Sequence, residues 1–271
     1  MARPAGLAVA ECGEAGPALL AREGGWSRAG ILDWLARLAD EGADMLIGLD
    51  LSPALPFADA GSYFPGWAES PDEARALWAM VDAMAADDPH LAATSVVNDV
   101  ELSRHFRRHR ACGDRFGQGR GRLRLCEERQ RAAGFSPTSC FNLVGAAQVG
   151  KSSLTGMRVL HRLDGRIPVW PFDPLPTDGP VIVEIYTTIA ARAAGIRKGL
   201  SKMRDATALD AALANLGSPP HDPLARYDDH ATDAILTAAW LRANAHRPEL
   251  WTPTAMTPHI ARTEGWTFGV S

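Results

Sequence analysis

Several patterns are scarce in this chain, and each scarcity removes a class of protein from consideration. The four cysteines include no Cys-x-x-Cys pair, which argues against common zinc and thioredoxin-type motifs and indicates free thiols. No apolar run approaches the length that spans a membrane, and the amino-terminal residues lack the apolar core of a signal peptide. We therefore expect a soluble, cytoplasmic protein with no membrane partner.

The composition is sufficient for a sizeable hydrophobic core. The chain has 271 residues, of which 46% are hydrophobic, and its net charge is only −4. Such a length predicts one large domain over residues 1–271, with an insertion at about 88–140 where the composition changes. Bulk charge does not make the whole molecule a polyanion binder.

A late helix with an acidic first turn is the main candidate for a functional element. The stretch from Tyr227 to Leu241 is acidic at its start and Ala-rich and apolar afterwards, and Asp228 or Asp229 can cap it. Asp229 and Asp233 are four residues apart and share one helix face, where two carboxylates repel each other. A divalent cation such as Mg²⁺ or Mn²⁺ would relieve that repulsion. The alternative is a capping Asp with one solvated Asp.

Two predicted strands supply further acids. Residues 45–49 form a near-continuous apolar run, which is typical of a strand buried on both faces, and Asp50 follows at its carboxyl end. Open α/β sheets place functional groups at such ends, although Asp50 could instead form a turn before Ser52. Glu184 lies within the β-branched run 181–186 and is either an edge-strand charge or a site residue.

An arginine-rich segment is the candidate contact for nucleic acid. Residues 104–131 contain ten arginines and two histidines against three acids, a balance of +7 within a chain of −4. Arginines on a Gly-rich loop can follow a phosphate backbone, whereas the alternative is a solvated loop that pairs with acidic surface. The candidate nucleic-acid-binding residues are Arg107, Arg108, Arg110, Arg120 and Arg122.

Residues 145–152 match the P-loop pattern at every fixed position. In a true P-loop, Lys151 would reach the β- and γ-phosphates and Ser152 would ligate Mg²⁺. The candidate strand before it is short and carries Asn142, and the next acid-ending segment, 167–173, holds two prolines, which suit an edge or a loop. The match is equally well explained by a tight glycine turn into a helix.

The remaining patterns alternate between short strands and helices. Gly6 to Glu11 and Pro17 to Arg22 are predicted strands. Helices are predicted at about 28–40 with Ser27 as cap, and at 71–87, 153–163, 188–198 and 205–216. The tail at 263–270 is predicted to be extended.

Taken together, these motifs resemble a known family over nearly the whole chain. They are Asp50 after its strand, Gly145-x4-Gly150 with Leu154 and Gly156, Val169-Trp-Pro-Phe-Asp173, Val183-Glu-Ile-Tyr186, Asp229-His-x-x-Asp233-Ala and Glu264-Gly-Trp266. The chain resembles the predicted-nuclease family called domain of unknown function 429, which is similar in fold to RNase H and the RuvC resolvase. The resemblance implies an α/β fold, with an RNase H-like mixed sheet flanked by helices and the arginine-rich segment as an insertion. It also implies acids at Asp50, Glu184, Asp229 and Asp233.

One departure from the family pattern concerns the first strand. An RNase H-like fold opens with a strand that carries an essential acid, whereas this chain begins at what resembles the second strand. The first strand is therefore expected to be missing or altered: lost, encoded upstream of Met1, or replaced with Glu11 as a poor substitute.

The leading functional hypothesis is a metal-dependent nuclease that hydrolyses phosphodiester bonds. Asp50, Asp229 and Asp233 would ligate Mg²⁺ or Mn²⁺, with Glu184 beside them as a fourth catalytic acid. One alternative is a catalytically inactive nucleic-acid-binding protein. Another is a P-loop nucleotide enzyme that uses residues 145–152.

Overall fold

Short strands alternate with longer helices along the chain, so the protein is a mixed α/β structure in which helix predominates. The structure is a computed structural model and describes residues 6–108, 111–117, 119–143, 149–196 and 203–271. Its strands there are β1 (Ala10–Gly13), β2 (Gly16–Leu19), β3 (Leu46–Leu49), β4 (Arg107–Arg108), β5 (Ala111–Cys112) and β6 (Val181–Glu184). Its α-helices there are α1 (Arg28–Glu41), α2 (Ala74–Met84), α3 (Thr94–Asn98), α4 (Leu125–Ala132), α5 (Val149–Arg162), α6 (Thr187–Ala193), α7 (Ala206–Asn215), α8 (Asp229–Asn244), α9 (Pro248–Trp251) and α10 (Pro258–Thr263).

A parallel pair of strands, β3 and β6, organises the interior. Its register pairs Leu46 with Val181 and Leu49 with Glu184. β3 is apolar throughout and β6 is apolar up to Glu184 at its carboxyl end, as expected where helices cover both faces. The acids predicted at or after these two strands, Asp50 and Glu184, therefore come to the same end of the pair.

The two faces of this pair belong to different cores. On one face, Ile47 and Ile182 pack with apolar side chains from α1, α2 and α5. On the other, Val183 packs with α8, and a Cβ added at Gly48 would lie only 2.7 Å from the Cδ1 atom of Leu241 in α8. Asp50 follows β3 in a bend, and its charge interacts with those of Asp233 and His230 on α8. Glu184 pairs with Leu49 and continues the opposite face.

The β1–β2 hairpin packs beneath α8 but stays separate from the parallel pair. Helix α8 contacts β1, β2 and β3, yet no ladder joins β1 to β3 in the described ranges. Those ranges contain three two-stranded sheets, so the expected RNase H-like mixed sheet of five strands is not seen there. Among the residues that the structure describes, only isolated bridges extend the parallel pair, at Val169 and Thr267. The prolines at 168 and 171 lack amide protons, which limits further pairing beside Val169.

Capping residues in the sequence predicted the starts of α1 and α8. The Ser27 side chain accepts a hydrogen bond from the Gly30 amide at 3.1 Å and starts α1. The Asp228 carboxylate accepts from the Ala231 amide at 3.0 Å and starts α8, so Asp228 is the cap rather than Asp229. Both caps satisfy an amide that would otherwise lack a partner in the first helical turn.

The segment expected to be an insertion contributes to the main core. Residues 88–140 include α3, the β4–β5 hairpin and α4. Their side chains Leu102, Phe106 and Phe116 join the core that contains Trp78 of α2. Among the described helices, none is both long enough and apolar enough to cross a membrane.

Candidate active site

The Asp50 carboxylate is surrounded by protein on most sides but is open to solvent on one. Its removal from bulk water raises its pKa to about 6, the charges of Asp233 and Glu184 add to this effect, and His230 opposes it. The residue nevertheless keeps substantial exposed surface, so solvent reaches it from one side. Asp50 is therefore a carboxylate held near other negative charges at the open end of β3.

Helix α8 brings Asp233 to the same place. Asp233 is partly buried, and this burial raises its pKa to about 6, with a further contribution from the charge of Asp229 one turn earlier. The exposed His230 lowers the pKa of both Asp50 and Asp233, which places it near both carboxylates. The structure thus brings together two of the predicted acids from distant parts of the chain.

Asp229, the third predicted ligand, has an arginine beside it. Its Oδ1 atom lies 2.9 Å from Nη2 of Arg204, and both side chains are about half exposed. The described residues contain no group of three or more His, Cys, Asp or Glu side chains placed to hold a metal ion. The predicted trio of Asp50, Asp229 and Asp233 is therefore not assembled as one three-ligand site. Two carboxylates remain, which suits a hydrated ion such as Mg²⁺ that keeps several waters.

Glu184, predicted to lie beside the other acids, is instead the partner of a buried arginine. Its Oε2 accepts from Nη1 of Arg124 at 2.7 Å, and its Oε1 accepts from Nη2 at 2.5 Å and from the Thr267 hydroxyl at 2.8 Å. Arg124 is completely buried and Glu184 is 6% exposed. This geometry is a bidentate, charge-assisted ion pair within the interior.

All five N–H groups of the Arg124 guanidinium have acceptors. Beyond Glu184, the Nε donates to Glu127 at 3.0 Å, Nη1 donates to the Glu264 carbonyl at 3.1 Å, and Nη2 donates to the Ser52 hydroxyl at 3.1 Å. Five is the full donor capacity of arginine. The side chain is consequently fixed in one orientation by four different segments of the chain.

Glu264 completes this buried cluster through the backbone. Its Oε1 accepts from the amides of Phe57 and Ala58 at 2.6 and 2.8 Å, and its Oε2 accepts from the Leu125 amide at 2.6 Å. These bonds tie the carboxy-terminal segment to the loop after β3 and to the start of α4. The sequence analysis did not single out Arg124 or Glu127 and quoted Glu264 only within a motif. The Arg124-x-x-Glu127 spacing at the start of α4 was the available signal.

Helix α5 supports the loop that carries Asp50. The Ser52 amide donates to the Ser153 hydroxyl at 3.2 Å, and a Cβ at Gly156 would lie 2.3 Å from Cδ2 of Leu51. A glycine at 156 therefore lets the loop approach the helix closely.

The P-loop match falls partly outside the described residues, which exclude 144–148. A Cβ at Gly150 would lie 2.2 Å from the Cys140 carbonyl oxygen, so close backbone packing accounts for this glycine. Lys151 and Ser152 are exposed, and the Ser152 hydroxyl donates to the Val149 carbonyl at 2.9 Å. The nucleotide hypothesis stays a prediction.

The arginine-rich segment is divided between internal and exposed side chains. Arg122 donates to Asp59 and stacks on the Phe141 ring, with its guanidinium carbon 5.6 Å from the ring centroid. Arg108 donates to the Asn98 side chain, and Arg110 lies outside the described residues. Arg107 and Arg120 are exposed and form no ion pair with the part of the chain that the structure describes.

The carbonyls around Arg122 explain its position. Its guanidinium also donates to the backbone oxygens of Pro56, Ser62 and Tyr63 at 2.7–3.0 Å. An arginine used in this way holds the loop after β3 and is not free to contact phosphates. The sequence predicted Arg122 as a nucleic-acid contact, but these internal hydrogen bonds do not favour that role.

A hydrogen-bonded chain of three side chains precedes α8, and the sequence analysis missed it. The Nδ1 of His221 lies 2.6 Å from Asp210 of α7, and its Nε2 lies 2.9 Å from the Tyr227 hydroxyl. The His221 side chain is almost completely buried. This chain fixes the segment that leads into the acidic end of α8.

A cavity of about 670 Å³ lies towards the other end of α8. Trp240, Asn244 and Arg247 contribute to its walls. None of the predicted site residues lines this cavity, so it is not part of a site formed by Asp50 and Asp233.

Comparison with known proteins returns no relative. No family model, no curated protein and no solved structure matches the chain.

Proposed function

We propose that this protein is a metal-dependent phosphodiesterase that acts on nucleic acid and holds one divalent cation, Mg²⁺ or Mn²⁺, between Asp50 and Asp233. The observation that carries the proposal is the convergence of these two carboxylates on the α8 face, at the solvent-accessible end of β3. Two nearby like charges in an enclosed position favour a cation that neutralises both.

The residues present allow a division of roles. Asp50 and Asp233 would bind the ion, and the exposed side of Asp50 would leave room for a phosphate group. When bound, such an ion polarises a phosphoryl oxygen and lowers the pKa of a coordinated water. His230 lies near both carboxylates and would contribute positive charge when protonated.

The arrangement also supports a relationship to the RNase H-like fold, as part of the same proposal. A parallel pair with an acid after one strand is crossed by a late helix that carries further acids, which matches the element order implied by the resemblance. A complete five-stranded sheet is not seen in the described ranges. The proposal therefore rests on the position of the acids and not on the sheet.

The exposed arginines supply a contact for the nucleic-acid backbone. Arg107 and Arg120 are exposed on the arginine-rich segment, in a chain whose remaining residues are strongly acidic. Arginines placed in this way bind phosphates without reading sequence. Arg108 and Arg110 belong to the same segment and are part of this proposed contact.

Metal binding is the first test of the proposal. Calorimetry with Mn²⁺ should show binding to the unmodified chain and at least a tenfold weaker affinity for Asp233→Asn, which removes a ligand charge. The matched control is Asp222→Asn, because Asp222 is exposed and lies on the segment before α8. No Mn²⁺ binding by the unmodified chain would overturn the proposed metal site.

Cleavage is the second test and separates the proposal from its main alternative. Single-stranded DNA, double-stranded DNA and RNA should each be incubated with Mg²⁺, with Mn²⁺ and with a chelator. Metal-dependent cleavage that Asp50→Asn abolishes would support the proposal. Salt-sensitive binding without cleavage under either metal would instead identify a nucleic-acid-binding protein without catalysis.

A further inference from the structure

The position of Arg124 bears on how many metal ions the proposed site can hold. Glu184 lies at the carboxyl end of β6, next to the strand end that carries Asp50, and is a natural candidate ligand for a second ion. Both of its oxygens, however, accept hydrogen bonds from the Arg124 guanidinium. A carboxylate engaged through both oxygens by a permanently charged group does not also need a metal ion.

Arg124 cannot easily leave this position. Its remaining donors are taken by the Glu127 carboxylate, the Glu264 carbonyl and the Ser52 hydroxyl, and the side chain is completely buried. To release Glu184, the buried guanidinium would have to give up charge-assisted hydrogen bonds, which are costly to break in the protein interior. The ion pair is therefore a fixed part of the protein.

The two acids have different partners. Glu184 is in register with Leu49 and pairs with Arg124, whereas the charge of Asp50 interacts with those of Asp233 and His230 on α8. Ser52 links them, because its hydroxyl accepts from Arg124 and it lies two residues after Asp50. The buried guanidinium of Arg124 therefore supports, through Ser52, the loop that carries Asp50.

We infer that Arg124 is a positioning residue whose guanidinium replaces a second metal ion, so that the site takes a single dissociable divalent cation at Asp50 and Asp233. This inference rests on the proposed function. It assigns Glu184, which was predicted as a fourth catalytic acid, to the support of the site. It also gives a role to Ser52, through which the guanidinium holds the loop that presents Asp50.

The number of bound Mn²⁺ ions tests the inference without any variant. Calorimetry, together with the loss of the free Mn²⁺ signal in electron paramagnetic resonance, should give one tight site per chain. Glu184→Gln should keep that single site with an affinity within about threefold, whereas Asp233→Asn should lose at least about tenfold. Two tight sites in the unmodified chain, one of them lost in Glu184→Gln, would overturn the inference and leave the proposed function standing.

The positioning role has its own readout. Ser52→Ala removes the side-chain link between Arg124 and the Asp50 loop and leaves the pair with Glu184 intact. We expect its Mn²⁺ affinity to fall by about three- to tenfold. An unchanged affinity would exclude the positioning role, even if the thermal stability of the variant decreased. Absence of Mn²⁺ binding by the unmodified chain would instead contradict the proposed function itself.

Discussion

The charged form of Asp233 destabilises the fold, as expected of a residue whose role is to bind a ligand. Its pKa is about 6 in the folded chain against an ordinary value of 3.8, because of burial and of the charge of Asp229. Between these values the folded chain retains a proton that the unfolded chain has released. The free energy of unfolding therefore decreases as pH rises from about 4 to about 6, and above that range the full destabilisation remains without further pH dependence.

The first prediction follows from that pH dependence. Asp233→Asn should raise the free energy of unfolding at pH 7.5 by about 1 kcal/mol in metal-free buffer, after allowance for partial exposure, because it removes an unfavourable charge. The gain should disappear below about pH 4, where the native carboxyl is neutral in both states. Urea unfolding across this range measures it, with Asp222→Asn as the exposed control. A variant that is destabilised equally at all pH values would contradict the prediction.

The second prediction compares two carboxylates that pair with arginine. Glu184→Ala leaves the buried Arg124 without its main counter-charge and should lower the free energy of unfolding by about 3–5 kcal/mol. Glu249→Ala breaks the exposed pair with Arg247, whose closest N–O distance is 2.7 Å, and should cost less than about 1 kcal/mol. Denaturant unfolding at pH 7 distinguishes them. Equal losses would mean that the buried cluster is not the tight network that its distances indicate.

At the scale of elements, the connection between α7 and α8 decides how the acidic helix begins. Asp210, His221 and Tyr227 form a continuous hydrogen-bonded chain across it, one residue before the cap at Asp228. The helix start is thus held by a local cap and by a contact with α7. Both act on the helix turn that carries Asp229 and leads to Asp233.

The third prediction concerns this connection. Tyr227→Phe removes the hydroxyl partner of a buried imidazole and should lower the free energy of unfolding by about 1 kcal/mol. Amide hydrogen exchange over residues 221–231 should also become faster, because the segment before α8 loses one of its anchors. Tyr186→Phe is the control, since the Tyr186 hydroxyl makes no hydrogen bond within the described ranges. Identical exchange in Tyr227→Phe and the unmodified chain would contradict the anchoring role.

At the scale of the whole molecule, charge is distributed unevenly along the chain. Residues 104–131 carry +7 while everything else carries −11. Within this segment Arg122 and Arg124 serve internal contacts, and Arg107 and Arg120 face solvent. A basic segment in the sequence therefore corresponds to a smaller basic surface in the folded protein.

The fourth prediction separates surface arginines from internal ones. Arg120→Ala should change the free energy of unfolding by less than about 0.5 kcal/mol and reduce the salt dependence of nucleic-acid binding by about one unit of slope. Arg122→Ala should instead destabilise the fold by about 2 kcal/mol, because it leaves several carbonyls and Asp59 without their donor. Unfolding curves and binding isotherms at several salt concentrations test both. The opposite assignment would mean that Arg122 faces the ligand.

Local sequence determined the elements whose stability is local. The caps at Ser27 and Asp228 and the periodicity that follows them are contained within single helices, so α1 and α8 could be predicted from neighbouring residues alone. The apolar run of β3 and the β-branched run of β6 were also predictable as strands, although in β3 only Ile47 is fully buried. Asp50 at the end of a buried strand and Asp233 on a helix were recognised for the same reason.

Tertiary structure alone decided which of the predicted acids belong together. The register of β3 against β6 brings Asp50 and Glu184 to the same end of the pair, and no residue of either strand reveals that register by itself. Arg124 reaches Glu184 and Ser52 from distant positions in the chain, so no local pattern predicted the buried ion pair. The number of strands in each sheet was likewise not predictable, because strand pairing depends on hydrogen bonds between segments far apart in sequence. The sequence by itself determined which residues are capable of chemistry; the long-range packing determined which of them share a site, because contact between distant segments depends on the whole fold.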